Sequence, residues 1–242
     1  MAEHVNRYGQ PVGEVLPIWS VRAFPGRITL TGCFCRLEPL SVARHADALY
    51  AAYADAPDGR DWIYMFVGPF RDKDEYRAYL TAVEQRQDTQ SYVVIDTRTD
   101  NAVGTFSLMR VDVNHGVIEV GSVAFSSALK RTPLATEAHF LLMGYVFEQL
   151  RYRRYEWKCD SLNAPSRRAA LRLGFTFEGV FRQAVIYKGR TRDTAWFSLL
   201  DTEWPQRKLY FLDWLAQDNF DAEGKQIQSL AAIRQSRLKE GS

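Results

Sequence analysis

The residues best suited to bind an anion lie where a predicted strand gives way to a predicted helix. The run from Gly116 to Phe125 is rich in β-forming residues, a helical pattern begins near Thr132, and Lys130 and Arg131 stand between them. A helix start offers unpaired N–H groups and the positive end of the helix dipole, so it can hold a phosphate group, and the two cations would strengthen the attraction. An ordinary strand–helix turn with solvated basic residues would give the same pattern, so both interpretations stay open here.

A second group of polar residues opens a short helix predicted over residues 164–173. Asn163 or Asp160 could cap this helix, and Pro165 suits its first turn. That capping pattern does not require Ser166, whose hydroxyl also lies in the first turn. We therefore expect Ser166 at the same end of the sheet as Lys130, where it could act chemically or simply begin the helix.

These residues must be positioned by strands and helices in the order βααβββαβαββ. Alternating or β-rich runs predict strands at 27–37, 91–96, 102–113, 116–125, 154–159, 175–182 and 184–201. Helical spacing predicts helices at 41–53, 72–87, 132–150, 164–173, after Glu203, and at 226–238. The last two strands are joined by, or contain, a turn at Lys188-Gly189. This order predicts an α/β or α+β fold with one mixed, mostly antiparallel twisted sheet flanked by helices.

The composition excludes several classes of protein. Of 242 residues, 46% are hydrophobic and 13% aromatic, so disorder throughout the chain is excluded. A net charge of +2 argues against a chain that coats nucleic acid, and no apolar run is long enough for a membrane span. The first residues do not resemble a secretory signal, so we expect a cytoplasmic protein. Three cysteines and four scattered histidines predict no metal site.

Several short stretches, found in matching order, resemble the GNAT superfamily of acyl-CoA-dependent N-acyltransferases, and most closely its RimJ/RimL-type branch. They are Leu37-Glu38-Pro39-Leu40, Ile118-Glu119-Val120-Gly121, Ala135-Thr136-Glu137-Ala138, Asn163-x-x-Ser166, Leu173-Gly174-Phe175-x-x-Glu178-Gly179, Gly189 to Asp193, and Glu203-Trp204-Pro205. The likeness covers about residues 27–205. It implies an N-acetyltransferase that moves an acetyl group from acetyl-CoA to a primary amine, either a protein N-terminus or a small molecule, by direct attack in a ternary complex.

The resemblance also implies where acetyl-CoA binds. Two central parallel strands, here 116–125 and 154–159, should splay apart around its pantetheine arm. The pyrophosphate would rest on the loop and helix start, and Asn163 would hydrogen-bond the pantetheine. The expected cofactor-binding residues are Ser122, Val123, Ala124, Lys130, Arg131, Thr132, Leu134, Ala135, Thr136, Asn163 and Ser166.

The implied chemistry needs a base, oxyanion donors and an acid. An amine must lose a proton near neutral pH, and Glu119 is the leading base, acting through water. His115 and Asp160 are rival bases. Backbone N–H groups around Ser122 to Ala124 would stabilise the carbonyl oxygen, and Ser166 would protonate the departing thiolate.

Two positions depart from the family pattern. Pro133 replaces a glycine of the pyrophosphate loop and removes one N–H donor. Ala170 stands where many members of the family have a tyrosine that acts as the general acid. A catalytically weak or inactive module that binds or senses acyl-CoA is therefore the alternative function. A protein-interaction domain that uses the aromatic C-terminal helix is a third.

The length divides into one catalytic domain and two additions. We expect an N-terminal arm at 1–26, the acetyltransferase-like domain at 27–205 and a helical extension at 206–242. Phe211, Leu212, Trp214 and Leu215 should dock the extension on the domain or on a second subunit, so a homodimer stays open. Neither nucleic acid nor a membrane is expected as a partner.

Overall fold

The computed structural model describes residues 4–16 and 18–240. Its strands are β1 His4–Val5, β2 Pro11–Val12, β3 Leu30–Thr31, β4 Cys35–Pro39, β5 Gln90–Asp96, β6 Ala102–Asp112, β7 Val117–Phe125, β8 Arg154–Asp160, β9 Thr176–Tyr187 and β10 Arg190–Leu200. Its α-helices are α1 Val42–Ala54, α2 Lys73–Glu84, α3 Pro133–Gly144, α4 Ala164–Arg172, α5 Trp204–Leu215 and α6 Leu230–Glu240. Short 3₁₀ turns lie at Gly59–Trp62 and Gln217–Asn219, and a π-helical turn at Tyr145–Gln149 extends α3.

Eight of these strands form one sheet, in the order β3-β4-β5-β6-β7-β8-β10-β9. Neighbouring strands are antiparallel except for the central pair β7 and β8, which run parallel. The connection between that pair passes through α3, since parallel neighbours need a crossover rather than a hairpin. The predicted mixed, mostly antiparallel sheet is thereby confirmed.

Some predicted boundaries were wrong for local reasons. The run 27–37 is not one strand, because the chain turns between β3 and β4. The last hairpin turns at Lys188-Gly189, where both residues have positive φ, as a tight two-residue hairpin requires. The division predicted near Gln183 is instead an irregularity inside β9, where the Gln183 N–H bonds Asp193 Oδ1 at 2.7 Å.

The helices pack on the two faces of the sheet. α1 and α2 cover one face around Leu49, Tyr76 and Leu80, whereas α3 and α5 cover the other. Trp204 of α5 lies against Phe147, with ring centroids 5.5 Å apart, and shares the main core. The described part of the predicted extension therefore continues this core through α5 and α6. No helix within residues 4–16 and 18–240 is long and apolar enough to cross a membrane.

The predicted N-terminal arm follows the surface into the first strand of the main sheet. Trp19 Nε1 donates to the carbonyl of Asn114 at 2.8 Å, and the Arg22 N–H donates to the carbonyl of Val113 at 2.9 Å. Parts of the arm and extension predictions, residues 1–3, 17, 241 and 242, lie outside the described residues. The contacts of the arm fix its end beside the turn that precedes β7.

Glu137, in the second turn of α3, joins that helix to the β3–β4 turn. Its buried carboxylate accepts the backbone N–H groups of Cys33, Phe34 and Cys35, each at 2.7 Å. A side chain at Gly32 would come within 2.5 Å of a Glu137 oxygen, so this close approach requires glycine. A charged acceptor for otherwise unpaired buried N–H groups gives Glu137 a structural role.

Glu137→Gln tests this anchor. Gln presents one oxygen and an NH₂ group to three N–H donors, so it leaves buried donors unpaired. We expect the free energy of unfolding to fall by about 3 kcal/mol, measured by urea denaturation. Glu223→Gln, on an exposed loop, makes the same chemical change as a control and should stay within about 0.5 kcal/mol of the wild type. Equal effects in the two variants would contradict the anchoring role.

Candidate active site

The central parallel strands separate halfway along their length. β7 and β8 pair from Val117 with Arg154 to Val120 with Trp157, and no pair follows. β7 nevertheless continues to Phe125, and β8 to Asp160. Beyond Val120 the edge of β7 that faces β8 therefore carries backbone groups with no strand partner. This wedge is the splayed cleft that the sequence led us to expect.

A β-bulge marks the place where the strands part. Gly121 pairs with Ser107 and Ala124 with Thr105, so Ser122 and Val123 together oppose a single residue of β6. Ser122 has a φ of +50°, which turns the backbone out of the regular pleat. Bulges redirect backbone and side-chain groups at functional sites. Here the bulge lies in the segment 122–124 that was predicted to supply oxyanion donors.

Glu119 lies on β7 three residues before Ser122, the first residue of this bulge, and is 6% exposed. Its Oε2 is 2.8 Å from Lys158 Nζ and 3.3 Å from Arg110 Nε. Despite these two contacts, no donor among the described residues is aligned to hydrogen-bond Glu119 Oε2. Burial raises the pKa of Glu119, opposed by Lys158 and Arg110, while Glu156 adds a further increase. The result is a buried carboxylate with a raised proton affinity and an oxygen able to accept a proton or a water hydrogen bond.

Lys158 connects Glu119 to a longer row of charges on the same face of the sheet. Glu119 and Glu156 are paired residues of β7 and β8, and Lys158 Nζ is also 2.7 Å from Glu156 Oε2. Arg154 continues the row, 2.7 Å from Glu156 Oε1 and 2.5 Å from Glu178 Oε2. Each cation thus lies between two carboxylates, which compensates charges that would otherwise be costly to bury.

The aromatic loop of residues 61–70 and the hairpin formed by β9 and β10 meet across the cleft. Lys188 Nζ donates to the carbonyls of Trp62 at 2.7 Å and Val67 at 3.1 Å. The Tyr64 hydroxyl donates to the carbonyl of Leu162 at 3.3 Å. Beneath these contacts lies a cavity of about 460 Å³ whose lining includes Glu119 and Ser166. The contacts therefore enclose the candidate base and acid in a single cavity.

The loop before α3 retains several free donors despite its proline. Pro133 occupies the first helical position, where its missing N–H breaks no helix bond. The N–H groups of Arg131, Thr132 and Leu134 have no partner among the described residues. The Ala135 N–H is already held by Thr132 Oγ1 at 3.4 Å. Three backbone donors at a helix start are enough to bind a phosphate group.

Other predicted phosphate-binding residues have partners already. Lys130 Nζ is 2.5 Å from Asp61 Oδ2, so it bridges to the aromatic loop. Thr136 is buried, and its Oγ1 accepts from Arg172 at 3.0 Å. The Thr136 backbone N–H has no acceptor among the described residues, so it remains available as a donor at the helix start. Arg131, exposed and with a φ of +62°, is the cation of this loop with no ion pair among the described residues.

Ser166 sits at the start of α4, where its hydroxyl lies beside the Trp157 indole and the Cys159 thiol. The Trp157 Nε1–H donates to Ser166 Oγ at 2.9 Å, so the hydroxyl acts there as an acceptor and keeps its own hydrogen for another partner. Asn163 Oδ1 accepts from the Ser166 N–H at 3.1 Å, as a helix cap does. The Asn163 amide NH₂ makes no bond to a described residue and remains free to donate. Ala170, where a tyrosine was expected from the resemblance, is fully buried in the core.

The rival bases are placed less favourably. His115 is exposed on the turn before β7 and contacts Asp112 Oδ2 at 2.8 Å. Asp160 is buried and accepts from the Tyr187 hydroxyl at 2.8 Å and from the Leu162 N–H at 2.8 Å. One Asp160 oxygen therefore binds the β9–β10 hairpin and the other binds the segment that precedes α4, so both oxygens already have partners. Burial, and to a smaller extent the neighbouring Asp160, raises the pKa of the Tyr187 hydroxyl to about 12.

Sequence reasoning missed Lys158 and Arg192, which line the cavity, and Tyr187, whose ring lies against the lining residue Phe66. A signal for Lys158 was present, because Arg154, Glu156 and Lys158 alternate in sign on every second residue of one strand. Tyr187 and Arg192 depend on the irregular register of the hairpin, which no local pattern shows. No group of three or more metal-ligating side chains occurs within the described ranges.

Comparison with known proteins agrees with this geometry. The sequence model described as "Acetyltransferase (GNAT) domain" matches residues 35–176. A crystal structure of a GCN5-related N-acetyltransferase from Brucella melitensis superposes with a TM-score of 0.89 at 44% identity, covering 91% of this chain and all of that one.

Two further proteins show the range of the similarity. An uncharacterized N-acetyltransferase, p20 of Bacillus licheniformis, is 29% identical over 144 residues, which are 58% of this chain and 80% of that protein. The RimL ribosomal L7/L12 alpha-N-protein acetyltransferase has a TM-score of 0.61 at 17% identity, covering 72% of this chain and 94% of that one. This last likeness is one of fold.

Lys158→Met tests the buried charge row. Without the ammonium, Glu119 faces Glu156 with less compensation, so the pKa of Glu119 rises further. We expect the free energy of unfolding near pH 7.5 to fall by about 3–5 kcal/mol. A carboxyl whose pKa is raised by folding opposes folding when ionised, so the loss should shrink as the pH falls through the folded pKa.

The matched control is the double variant Lys158→Met with Glu119→Gln. Removing the uncompensated carboxylate should recover part of the stability and reduce the pH dependence, as measured by urea denaturation from pH 5 to 8. A loss that is independent of pH, with no recovery in the double variant, would contradict electrostatic compensation at this site.

Proposed function

The chain belongs to the GNAT acetyltransferase family, and on that premise we propose that it transfers the acetyl group of acetyl-CoA to a primary amine by direct attack in a ternary complex. The observation that carries this proposal is the coincidence of three features in one place. The strands part after Val120, the bulge at Ser122–Val123 interrupts the regular pleat of β7 at the gap, and the buried Glu119 carboxylate lines the cavity there.

The cleft fits acetyl-CoA by several independent features. The unpaired edge of β7 offers backbone groups to an extended amide-bearing chain such as pantetheine. The free N–H groups of Arg131, Thr132 and Leu134, with the Arg131 cation, suit the pyrophosphate. The free amide NH₂ of Asn163 suits a pantetheine carbonyl. The loss of one donor at Pro133 therefore leaves a usable anion site.

Bound acetyl-CoA supplies an acetyl group activated as a thioester, whose carbon forms the new C–N bond as its C–S bond breaks. Glu119 accepts the proton that the attacking amine loses, through a water molecule held in the cavity. The raised pKa makes this carboxylate a stronger base than an ordinary glutamate, while the Lys158 ammonium beside it favours its ionised form.

Backbone donors and Ser166 complete the transfer. N–H groups around Ser122–Ala124 stabilise the negative charge that develops on the carbonyl oxygen, and being fixed by the bulge they need little reorganisation. Ser166, whose oxygen accepts from Trp157, donates its hydrogen to the departing thiolate. The products are an N-acetylated amine and free CoA thiol. Glu119 releases the proton it has taken to solvent, and Ser166 regains a proton from solvent, so both residues return to their starting states.

The test of the proposed activity is release of free thiol from acetyl-CoA with a panel of amines, with the acetylated product identified by mass spectrometry. The panel spans peptides with free N-termini and small amines, the two acceptor classes implied by the resemblance. We expect saturable thiol release with at least one class. Tight calorimetric binding of acetyl-CoA without release for any amine would favour the acyl-CoA-binding module instead.

Glu119→Gln tests the base. We expect kcat to fall roughly 10²- to 10⁴-fold, since a positioned general base contributes about that factor. In the wild type, kcat/KM should fall on the acidic side of its pH profile with an apparent pKa above that of an ordinary glutamate, because the pKa of Glu119 is raised. In Glu119→Gln this acidic fall should disappear. Glu156→Gln removes the same charge beside the same lysine but does not line the cavity, so its effect should be much smaller. Equal losses in both variants would contradict the assignment.

Ser166→Ala tests the acid. A thiolate leaves readily because a thiol has a pKa near ~8.5, so we expect only about a tenfold fall in kcat, with the KM for acetyl-CoA almost unchanged. Ser166→Thr keeps a hydroxyl and should recover part of the rate. A rise confined to the KM for acetyl-CoA, or no effect of Ala, would show that Ser166 acts only as a helix-start residue.

A further inference from the structure

Arg192 is a buried cation without a counterion. It lies on β10, is 8% exposed, and its Nε is fully enclosed without a hydrogen-bond partner. No ion pair or hydrogen bond joins its guanidinium to any residue within 4–16 and 18–240. Its neighbours are two aromatic rings, with Cζ 5.2 Å from the centroid of Phe66 and 5.9 Å from that of Tyr187. An uncompensated buried charge is costly, and an anionic ligand would offset that cost.

The strand places this cation on the side of the cleft where the amine must arrive. Arg192 and Trp196 lie four residues apart on β10 and therefore share a face. Trp196 covers Lys158, with Nζ 3.8 Å from the ring centroid, and Lys158 contacts Glu119. Arg192 and Glu119 also line the same cavity. The unpaired cation and the candidate base thus face a common space.

The nearby acid does not compensate Arg192. Asp160 directs one oxygen to the Tyr187 hydroxyl and the other to the Leu162 N–H, and it forms no ion pair with Arg192. The loop before α3, which has its own donors for the CoA phosphates, follows β7, and β10 lies two strands away in the sheet. Arg192 is therefore available for the acceptor rather than needed for the phosphates.

We propose that Arg192 binds a carboxylate carried by the amine acceptor, so that the preferred substrates are amines bearing a carboxylate. This inference rests on the proposed acetyl transfer and specifies its substrate class. A guanidinium presents a planar fork that matches a carboxylate with two parallel hydrogen bonds. The rings of Phe66 and Tyr187 restrict its position, and the two hydrogen bonds of Lys188 hold the hairpin against the aromatic loop. The acceptor carboxylate would orient the amine toward Glu119.

The test compares acceptors that differ only in one carboxylate. Alanine against alaninamide reports an α-carboxylate, and the tetrapeptide amides Asp-Ala-Ala-Ala and Asn-Ala-Ala-Ala report a side-chain carboxylate at a peptide N-terminus. We expect the wild type to prefer the carboxylate-bearing acceptor in at least one pair by roughly 10- to 100-fold in kcat/KM. The pair that shows the preference tells whether Arg192 binds an α-carboxylate or a side-chain carboxylate. Arg192→Gln should abolish the preference, and Arg192→Lys should retain part of it.

Arg190→Gln is the matched control, because Arg190 is an exposed arginine two residues away on the same strand. It should keep the preference. Arg192→Gln removes an uncompensated buried charge, so its thermal unfolding midpoint should equal or exceed that of the wild type. Absence of a preference in the wild type, its survival in Arg192→Gln, or a rise confined to the KM for acetyl-CoA would overturn the proposal.

A binding measurement separates this inference from the proposed activity. Calorimetry in the presence of CoA compares the N-acetylated forms of the same four probes and needs no turnover. Tighter binding of an acidic probe to the wild type but not to Arg192→Gln supports the carboxylate site even where no amine is acetylated. Equal affinities for acidic and neutral probes would refute the site even where acetylation occurs.

Discussion

The separation of β7 from β8 after Val120 is the constraint on which the rest of the site depends. Two parallel strands at the centre of a sheet would normally satisfy each other's backbone groups along their full length. Here the extra residue at Ser122–Val123 turns β7 away, so the remaining groups of its inner edge need another partner. An extended ligand that supplies amides and a carbonyl can satisfy these groups.

The ion pairs around Lys158 follow from the same separation. Where β7 and β8 still pair, Glu119 and Glu156 are direct neighbours on one face, and two adjacent buried carboxylates would repel each other. Lys158 lies between them, with its Nζ 2.8 Å from Glu119 Oε2 and 2.7 Å from Glu156 Oε2, and offsets their repulsion. Glu119, at the edge of the opening, keeps an oxygen without an aligned hydrogen bond. The last but one pair of the two strands thereby places the proposed base, Glu119, at the mouth of the cleft.

Local sequence patterns predicted much of this arrangement, but not its enclosure. The strands β7 and β8, the helix after β7 and the start of α4 were predicted because strand composition, capping residues and Pro positions act locally. The parallel pairing of β7 with β8 was expected from the family resemblance instead. The contact between the aromatic loop and the β9–β10 hairpin, which encloses the cleft, was not predicted. It depends on residues far apart in sequence, such as Lys188 and Trp62. Lys130 was predicted to bind the cofactor, yet it forms an ion pair with Asp61, which only the folded chain could show. The capping bond of Asn163 was one of the two caps that the sequence offered. Arg192 was not predicted as a site residue, because its surroundings depend on the irregular register between β9 and β10 next to it.

The most direct test of this account is a crystal structure of the protein with CoA bound. The account predicts the pantetheine arm between β7 and β8, beyond Val120 and Trp157, with its pyrophosphate on the N–H groups of Arg131, Thr132 and Leu134. It also predicts the CoA sulfur within hydrogen-bond reach of Ser166 Oγ and on the same side as Glu119. CoA bound outside the wedge, or with its sulfur directed away from the cavity that contains Glu119 and Ser166, would contradict it.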